Sequence, residues 1–260
     1  MTLREDWSAS TYLRFEDERT RPAVDLLARV ALDRPRKIFD IGCGPGNSTE
    51  LLARRFPEAE VVGVDSSPDM LAAARERLPD ARFIEADLAT WTPEAPADLI
   101  FANAVLQWLP DHETLLPRLV KSLAFGGVLA VQMPDNRSEP SHVAMAEVAR
   151  DPAWAARIAH AGGARTDILS AEGYYDLLMP HSSAVDVWRT TYVHPLDGAE
   201  AIAGWCRSTG LRPYLDPLDA AERERYLALY VERLRAYYPE RGGGKALLRF
   251  PRIFVVATRK

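Results

Sequence analysis

Two rhythms of apolar and polar residues alternate along the first half of the chain. Short apolar runs at Lys37–Ile41, Glu60–Asp65, 81–85, Ala97–Asn103 and 128–133 have the length and β-branched content of buried strands. Between them apolar residues return at helical spacing: Leu51, Leu52 and Phe56 within 47–56, Met70, Leu71 and Ala74 within 68–77, and a further helix over 113–123. Ser66 and Ser67 ahead of Pro68 mark a helix start. Strands and helices that alternate for five rounds require parallel strands. Each parallel connection needs a long crossover, and crossovers of this kind cover both faces of the sheet with helices.

Ahead of this array, Val24, Leu27, Ala28 and Val30 predict a helix over 22–30, stopped by Asp33-Arg34-Pro35. Residues 1–20 are polar but carry Trp7, Tyr12 and Phe15, followed by Arg19, Arg21 and Pro22. They read either as a surface helix whose rings pack on the domain or as a lid, since a planar ring covers a ligand and excludes water. Beyond Pro134 the rhythm changes. Residues 135–182 read as helices broken at Asp151-Pro152, Gly162-Gly163 and Met179-Pro180, an insertion over the carboxyl edge of the sheet. A sixth strand alternates over 185–193, Asp197 is placed to cap a helix over 198–207, Asp219 starts a long helix over 220–237, and 249–258 is the last strand. The expected architecture is α/β, a mostly parallel seven-stranded sheet in a single domain over 1–260. Its parts are an N-terminal lid or helix (1–30), a cofactor half (31–133), a helical cap inserted after strand five (134–184), and strands and helices (185–260) that complete the sheet and a substrate pocket.

Composition narrows the classes. A chain of 260 residues can bury a large core, and 47% hydrophobic with 27% charged content is that of a soluble globular protein. A net charge of −5 opposes a chain-wide role on nucleic acid while leaving room for a local basic pocket. Met1 to Asp6 is polar and charged, which predicts no signal peptide, and no apolar run approaches the ~20 residues that cross a bilayer. Cys43 and Cys206 make no metal-type pair, and a disulfide from Cys43, inside a glycine loop, would be awkward. The expectation is a reduced, cytoplasmic monomer without metal, membrane or nucleic-acid partner.

Residues able to carry chemistry collect at the predicted strand ends, where open parallel sheets bind ligands. The first strand feeds Gly42-Cys43-Gly44-Pro45-Gly46, and a helix begins near Asn47, so backbone can approach a ligand closely. Asp65 follows strand two, Asp87 strand three and Asn103 strand four. Either aspartate has the alternative of capping the helix after it. As a site residue, Asp65 lies where a carboxylate accepts both ribose hydroxyls of a nucleoside, which serves NAD and S-adenosylmethionine alike. A dinucleotide loop needs G-x-G-x-x-G. Here Asn47 stands where the third glycine belongs, and the acids around the mouth oppose a pyrophosphate.

Asp40-x-Gly42-x-Gly44-x-Gly46, with Asp65, Asp87 and Asn103, resembles the class I S-adenosylmethionine-dependent methyltransferases over 37–133. The resemblance implies their Rossmann-like fold and their cofactor. It sets the backbone of Gly42, Gly44 and Gly46 against the methionine part, Asp65 on the ribose and Asp87 toward the adenine amino group. Met70 and Leu88 become apolar neighbours of the adenine and Asn103 borders the methyl-transfer region, with Tyr12, Arg19 and Ser66 joining the implied cofactor set. Further stretches are similar to the trans-aconitate methyltransferases along most of the chain. They are Trp7 with Tyr12, Phe15 and Arg19-x-Arg21-Pro22, then 44–50, 101–110, 131–136, 139–142, 209–214 and Pro251-Arg252. Residues 143–185 carry no such motif.

That second resemblance implies methyl transfer to a carboxylate of trans-aconitate, a small tricarboxylate, giving a monomethyl ester and S-adenosylhomocysteine. A carboxylate of solution pKa ~4 is ionised at pH 7, so no general base is required and none is assigned. Gln107 and Trp108 are positioning candidates, with core packing the alternative for Trp108. A tricarboxylate bound by an acidic protein calls for arginine forks and strong donors. The expected substrate set is Arg137, His142, Tyr174, Arg189, Arg212 and Tyr214, drawn from a field that includes Tyr175, Arg207 and Arg252. His142 and Arg212 rank first because they stand inside the family-like stretches. Rival readings are the same chemistry on another small or carrier-bound carboxylate such as a malonyl thioester, a nicotinamide-dependent oxidoreductase, and a non-catalytic cofactor-binding protein.

Overall fold

The computed structural model describes residues 16–260 other than 159 and 208, and of 16–19 the backbone alone. Trp7, Tyr12 and Phe15, and the side chain of Arg19, therefore lie outside the described residues, and with them the lid reading. The helices are α1 (Glu16–Ala28), α2 (Asn47–Arg55), α3 (Pro68–Arg77), α4 (His112–Lys121), α5 (Pro140–Val148), α6 (Ala155–Ile158), α7 (Ala171–Leu178), α8 (Gly198–Arg207), α9 (Arg212–Leu215) and α10 (Ala220–Tyr237). The apolar runs become β1 (Lys37–Ile41), β2 (Glu60–Asp65), β3 (Arg82–Glu85) and β4 (Ala97–Asn103), each within a residue of the pattern that predicts it.

These strands and β5 (Leu123–Pro134) pair in parallel in the order β3-β2-β1-β4-β5. Next to β5 comes β7 (Ala246–Arg259), then β6 (Ser182–Leu196), to make seven strands. Direction reverses at β7. The Asp135 N–H donates to Pro251 O, whereas the Arg259 guanidinium reaches Leu123 O, so β7 runs against β5 and the sheet is mixed.

The chain divides into two compact units. One holds the described residues up to Pro134 with Asp167–Thr190 and Ile253–Lys260; the other holds Asp135–Thr166 and Thr191–Arg252. In the first, Phe39, Ile41, Val62, Val64, Ile100 and Val131 of the sheet pack with Leu116 and Leu119 of α4 into a continuous buried core. Burying each such side chain contributes about 1.5–3 kcal/mol. The second unit is held by tyrosines. Tyr226 and Tyr230 on α10 are fully buried, and their hydroxyls donate to Met145 O (2.7 Å) and Ser141 O (3.1 Å). The Ser141 N–H, at the start of α5, donates to the Tyr238 hydroxyl at 3.0 Å. Trp154 and Tyr214 flank Tyr226 with ring centroids at 5.6 and 6.1 Å.

Some boundaries differ from the sequence pattern. Helix α1 begins at Glu16 and carries Pro22 inside it; of the expected apolar positions Leu27 and, past the helix end, Val30 are buried, whereas Val24 and Ala28 are exposed and Ala23 and Leu26 take their place. Strand β5 starts five residues early at Leu123, because Gly126 (φ 75) lets the chain shift register against β4 between Ala97↔Leu123 and Leu99↔Val128. Among the described residues no helix is long and apolar enough to cross a membrane.

The start of α10 is a capping box: the Glu222 N–H donates to Asp219 Oδ1 (2.9 Å) and the Asp219 N–H to Glu222 Oε2 (3.1 Å). Asp219→Ala is expected to cost about 1 kcal/mol of stability in urea unfolding. An unchanged midpoint would show that α10 does not depend on this cap.

Candidate active site

At the end of β1 the chain enters a loop of left-handed glycines. The Gly42 and Cys43 N–H groups both donate to Val64 O, at 2.7 and 3.1 Å, which binds the loop to the end of β2. A Cβ on Gly42 (φ 68) would lie 2.3 Å from Val105 Cβ, so the turn after β4 requires a glycine here. Gly44 (φ 54) is different: nothing lies within 4 Å of the Cβ it lacks, so the loop leaves that side open. Gly46 is the N-cap residue of α2 and packs toward Ala74 of α3.

Asp65 ties these parts together. Its Oδ2 accepts the Gly44 N–H at 2.9 Å and its Oδ1 the Ser67 N–H at 3.0 Å. The cap of α3 is Ser67, whose Oγ accepts the Met70 N–H at 3.3 Å, so Asp65 is not the helix cap. Each carboxylate oxygen thus accepts a backbone donor. Ser66 is exposed beside it and Met70 is buried.

Asp87 follows its plainer alternative in part: its Oδ1 accepts the Ala89 N–H at 2.9 Å in a turn, with Leu88 buried next to it. Asn103 Oδ1 accepts from Gln132 Nε2, its register partner on β5. The next residue, Ala104, is left-handed (φ 58), an uncommon state outside glycine, and is pinned on both sides. Its N–H donates to Gln132 O (3.0 Å) and its carbonyl accepts Gln107 Nε2 (2.5 Å). Gln107 is buried with Oε1 lacking a partner, and Trp108 is half-buried.

Under the loop sits Asp40, a residue of the motif to which the sequence assigns no role. It is wholly buried; Oδ2 accepts from Ser48 Oγ (2.7 Å) and Thr49 Oγ1 (2.6 Å), and Oδ1 has no partner. Burial pushes its pKa up to about 7, opposed by the Thr49 and Ser48 hydroxyls and reinforced by the charge of Asp65. The Cys43 thiol is driven well above its usual range by burial and then by Asp40 and Asp65, which makes it inert.

The expected substrate residues do not all meet. Arg137, His142 and Tyr214 belong to the second unit, together with Arg165 and Asn136, neither of which was expected. Arg165 Nη1 donates to Asn136 Oδ1 (2.8 Å) and, weakly, to His142 Nε2 (3.4 Å). Arg137 donates to Gly162 O (2.9 Å) and Arg165 O (3.3 Å). Tyr174 departs from the expectation. It is fully buried in the first unit, its hydroxyl spent on His112 Nδ1 (2.8 Å) and the Leu169 N–H (3.3 Å), so it packs the core instead of offering a donor to substrate. Arg189 is exposed on β6 and acts on Glu172 of the first unit. Arg212 lies 3.9 Å from Asp216, one turn on. Of the wider field, Arg207 and Tyr175 are exposed, and Arg252 is buried with its guanidinium over the Phe250 ring at 4.9 Å.

A family model described as a methyltransferase domain matches residues 38–127. A trans-aconitate 2-methyltransferase of Afipia carboxidovorans is 57% identical over 98% of this chain and 99% of its own length. One from Methylobacterium nodulans is 58% identical over 98% of each chain. The chain belongs to the trans-aconitate 2-methyltransferase family. The YcgJ protein of Bacillus subtilis, a solved structure, aligns with a TM-score of 0.60 at 13% identity, covering 92% of this methyltransferase and 99% of that chain, a likeness of fold.

The cofactor of this methyltransferase is S-adenosylmethionine. The loop fits it by its own chemistry. Two carboxylates, Asp40 and Asp65, act on one another around the loop, a field that suits sulfonium and ammonium charges and repels pyrophosphate. The open side of Gly44 suits a backbone-cradled amino acid, and the Asp65 carboxylate at the end of β2 is the kind of acceptor that ribose hydroxyls require.

Because the folded pKa of Asp40, about 7, lies above the ~3.9 of an unfolded aspartate, the folded state holds the extra proton. Stability is then full below pH ~4 and falls as pH rises to about 7. Asp40→Asn escapes that loss, so its unfolding midpoint relative to wild type should climb between pH 4 and 7 and stay level above, by at most about 4 kcal/mol. A difference that does not vary with pH would place the Asp40 pKa in the ordinary range.

Proposed function

We propose that this methyltransferase moves the methyl group of S-adenosylmethionine to a carboxylate of trans-aconitate, giving the monomethyl ester and S-adenosylhomocysteine. Near full-length identity to proteins named for that reaction carries the reading. An arginine-centred cluster in a chain of net charge −5 supports a polyanionic small molecule as the acceptor. Among the described residues neither Cys43 nor Cys206 forms a disulfide, in keeping with a cytoplasmic setting.

Bound S-adenosylmethionine supplies an electrophilic methyl carbon on positively charged sulfur. The work of the chain is to hold and to align. Asp65, braced by two backbone amides, would hold the ribose, and the Gly42, Gly44 and Gly46 backbone the methionine part. Asp87, Leu88 and Met70 would border the adenine. Asn103 and Gln107 would border the reacting groups, on a turn whose left-handed Ala104 is fixed from both sides by Gln132 and Gln107. A substrate carboxylate of pKa ~4 is already anionic at pH 7, so no residue has to remove a proton. Alignment of oxygen, carbon and sulfur can contribute up to about 7–11 kcal/mol, and exclusion of water from the carboxylate adds to it.

Incubation with S-adenosylmethionine and a panel of di- and tricarboxylates, followed by mass analysis, should yield the trans-aconitate monomethyl ester; methylation of another carboxylate alone would overturn this substrate. Asp65→Ala should abolish calorimetric binding of S-adenosylhomocysteine. Retained affinity would remove Asp65 from the cofactor site.

A further inference from the structure

We propose that His112 and Tyr174 are positioning residues for methyl transfer, acting by fixing the turn between β4 and α4 and, through it, Gln107. This rests on the reading above that Gln107 borders the reacting groups. Every residue involved belongs to the first unit.

The turn is strained at both ends. Among the described residues Ala104 (φ 58) and Asp111 (φ 56) are the non-glycine residues with left-handed backbone, and they bracket residues 105–110. Such a conformation disfavours a residue with a Cβ and persists only where its surroundings hold it. The first end is held by the Gln132 carbonyl and the Gln107 side chain. At the second end Asp111 precedes α4 without a side-chain cap bond, and the next residue makes the tie. The buried ring of His112 reaches back over the turn, with Nε2 2.8 Å from Leu106 O.

A carbonyl only accepts, so Nε2 carries the proton. In the neutral ring Nδ1 is then the acceptor, and the Tyr174 hydroxyl donates to it at 2.8 Å. The hydroxyl oxygen accepts the Leu169 N–H at 3.3 Å. A line of hydrogen bonds therefore runs from the backbone ahead of α7, through Tyr174 and His112, to the turn. It ends on Leu106 O, which also accepts the Leu109 N–H at 2.9 Å. A buried network satisfied at each step is rigid and favours one arrangement.

The turn carries two features that give this rigidity a use. Val105 packs directly on Gly42, so the turn lies against the glycine loop. Gln107 is 4% exposed, spends Nε2 on Ala104 O, and has no partner for Oε1. A buried amide oxygen without a donor disfavours the fold, and a bound ligand can supply what is lacking. Misplacing a group at the reacting centre by about 1 Å can cost on the order of 100-fold in rate. His112 and Tyr174 would touch neither cofactor nor acceptor; they would set where Gln107 stands.

The test is a double-mutant cycle on kcat with trans-aconitate, or with whichever carboxylate of the panel above the enzyme methylates. Thermal unfolding is followed in parallel, so that rates are compared between folded proteins. Gln107→Leu and Tyr174→Phe should each lower kcat about tenfold, and Tyr174→Phe should leave S-adenosylhomocysteine affinity within about twofold of wild type. In the double variant the loss of the Tyr174 hydroxyl should cost less than about twofold more, because the side chain it positions is already gone. His112→Leu should lower kcat at least as far as Tyr174→Phe does, and His112→Gln, whose amide can still donate to Leu106 O, should recover most of that loss. Losses that multiply in the double variant, or wild-type kcat in Tyr174→Phe, overturn the positioning role and leave Gln107 in the site. Wild-type kcat in Gln107→Leu overturns the placement of Gln107 and this inference with it.

Discussion

The contact on which the cofactor half depends is the hydrogen bond from the Gly44 amide to the Asp65 carboxylate. It joins the loop leaving β1 to the end of β2 and fixes a left-handed residue that would otherwise sample many states, a freedom that glycine loses at greater entropic cost than other residues. The same carboxylate could have been consumed as a helix cap. Ser67 performs that task instead, and Asp65 merely accepts the Ser67 amide. Local capping chemistry is thereby moved two residues onward and the acid is kept at the strand end. The buried Asp40 anchors the other flank through Ser48 and Thr49 at the start of α2. Both ends of the loop are thus held by carboxylates, one half-buried, the other wholly buried with its pKa raised to about 7.

Charge is handled differently around Arg165. Several arginines of this chain end in exposed pairs, such as Arg29 with Asp186 or Arg225 with Asp151. Such pairs contribute little, because water and salt screen them. Arg165 also meets neutral acceptors, the Asn136 amide oxygen and the His142 imidazole, and the charge of Asp135 acts on it as well. Neutral acceptors orient a guanidinium by geometry alone. Placing His142 between Arg165 and Ser141 fixes its tautomer, and the two guanidiniums keep it from becoming a third cation.

What could be read from the chain follows the range of the interactions involved. Strands β1 to β4, the glycine loop, Asp65 and the Asp219 cap rest on residue types a few positions apart, and sequence pattern reports such local order directly. The β5 boundary was misplaced because Gly126-Gly127 reads as a break, while the structure uses Gly126 as a bulge inside the strand. Pro22 likewise reads as a helix start although α1 passes through it. Tyr174 looked like an available donor; its hydroxyl is claimed by His112, 62 positions away, a pairing no local pattern announces. Arg165 was missed for the same reason. Its partner Asn136 is 29 positions distant, and the interrupted helices between them carry no periodic signal that would bring the two together.

The acidic field around the loop gives the proposed reaction a consequence. Methyl transfer from a sulfonium to a carboxylate removes one positive charge from the cofactor and one negative charge from the acceptor. S-adenosylhomocysteine, held as proposed beside Asp65, would lack the sulfonium that this field favours. The product would lose an attraction that its substrate had, in a setting less screened than bulk water. The field that favours binding of the cofactor would therefore also favour its release.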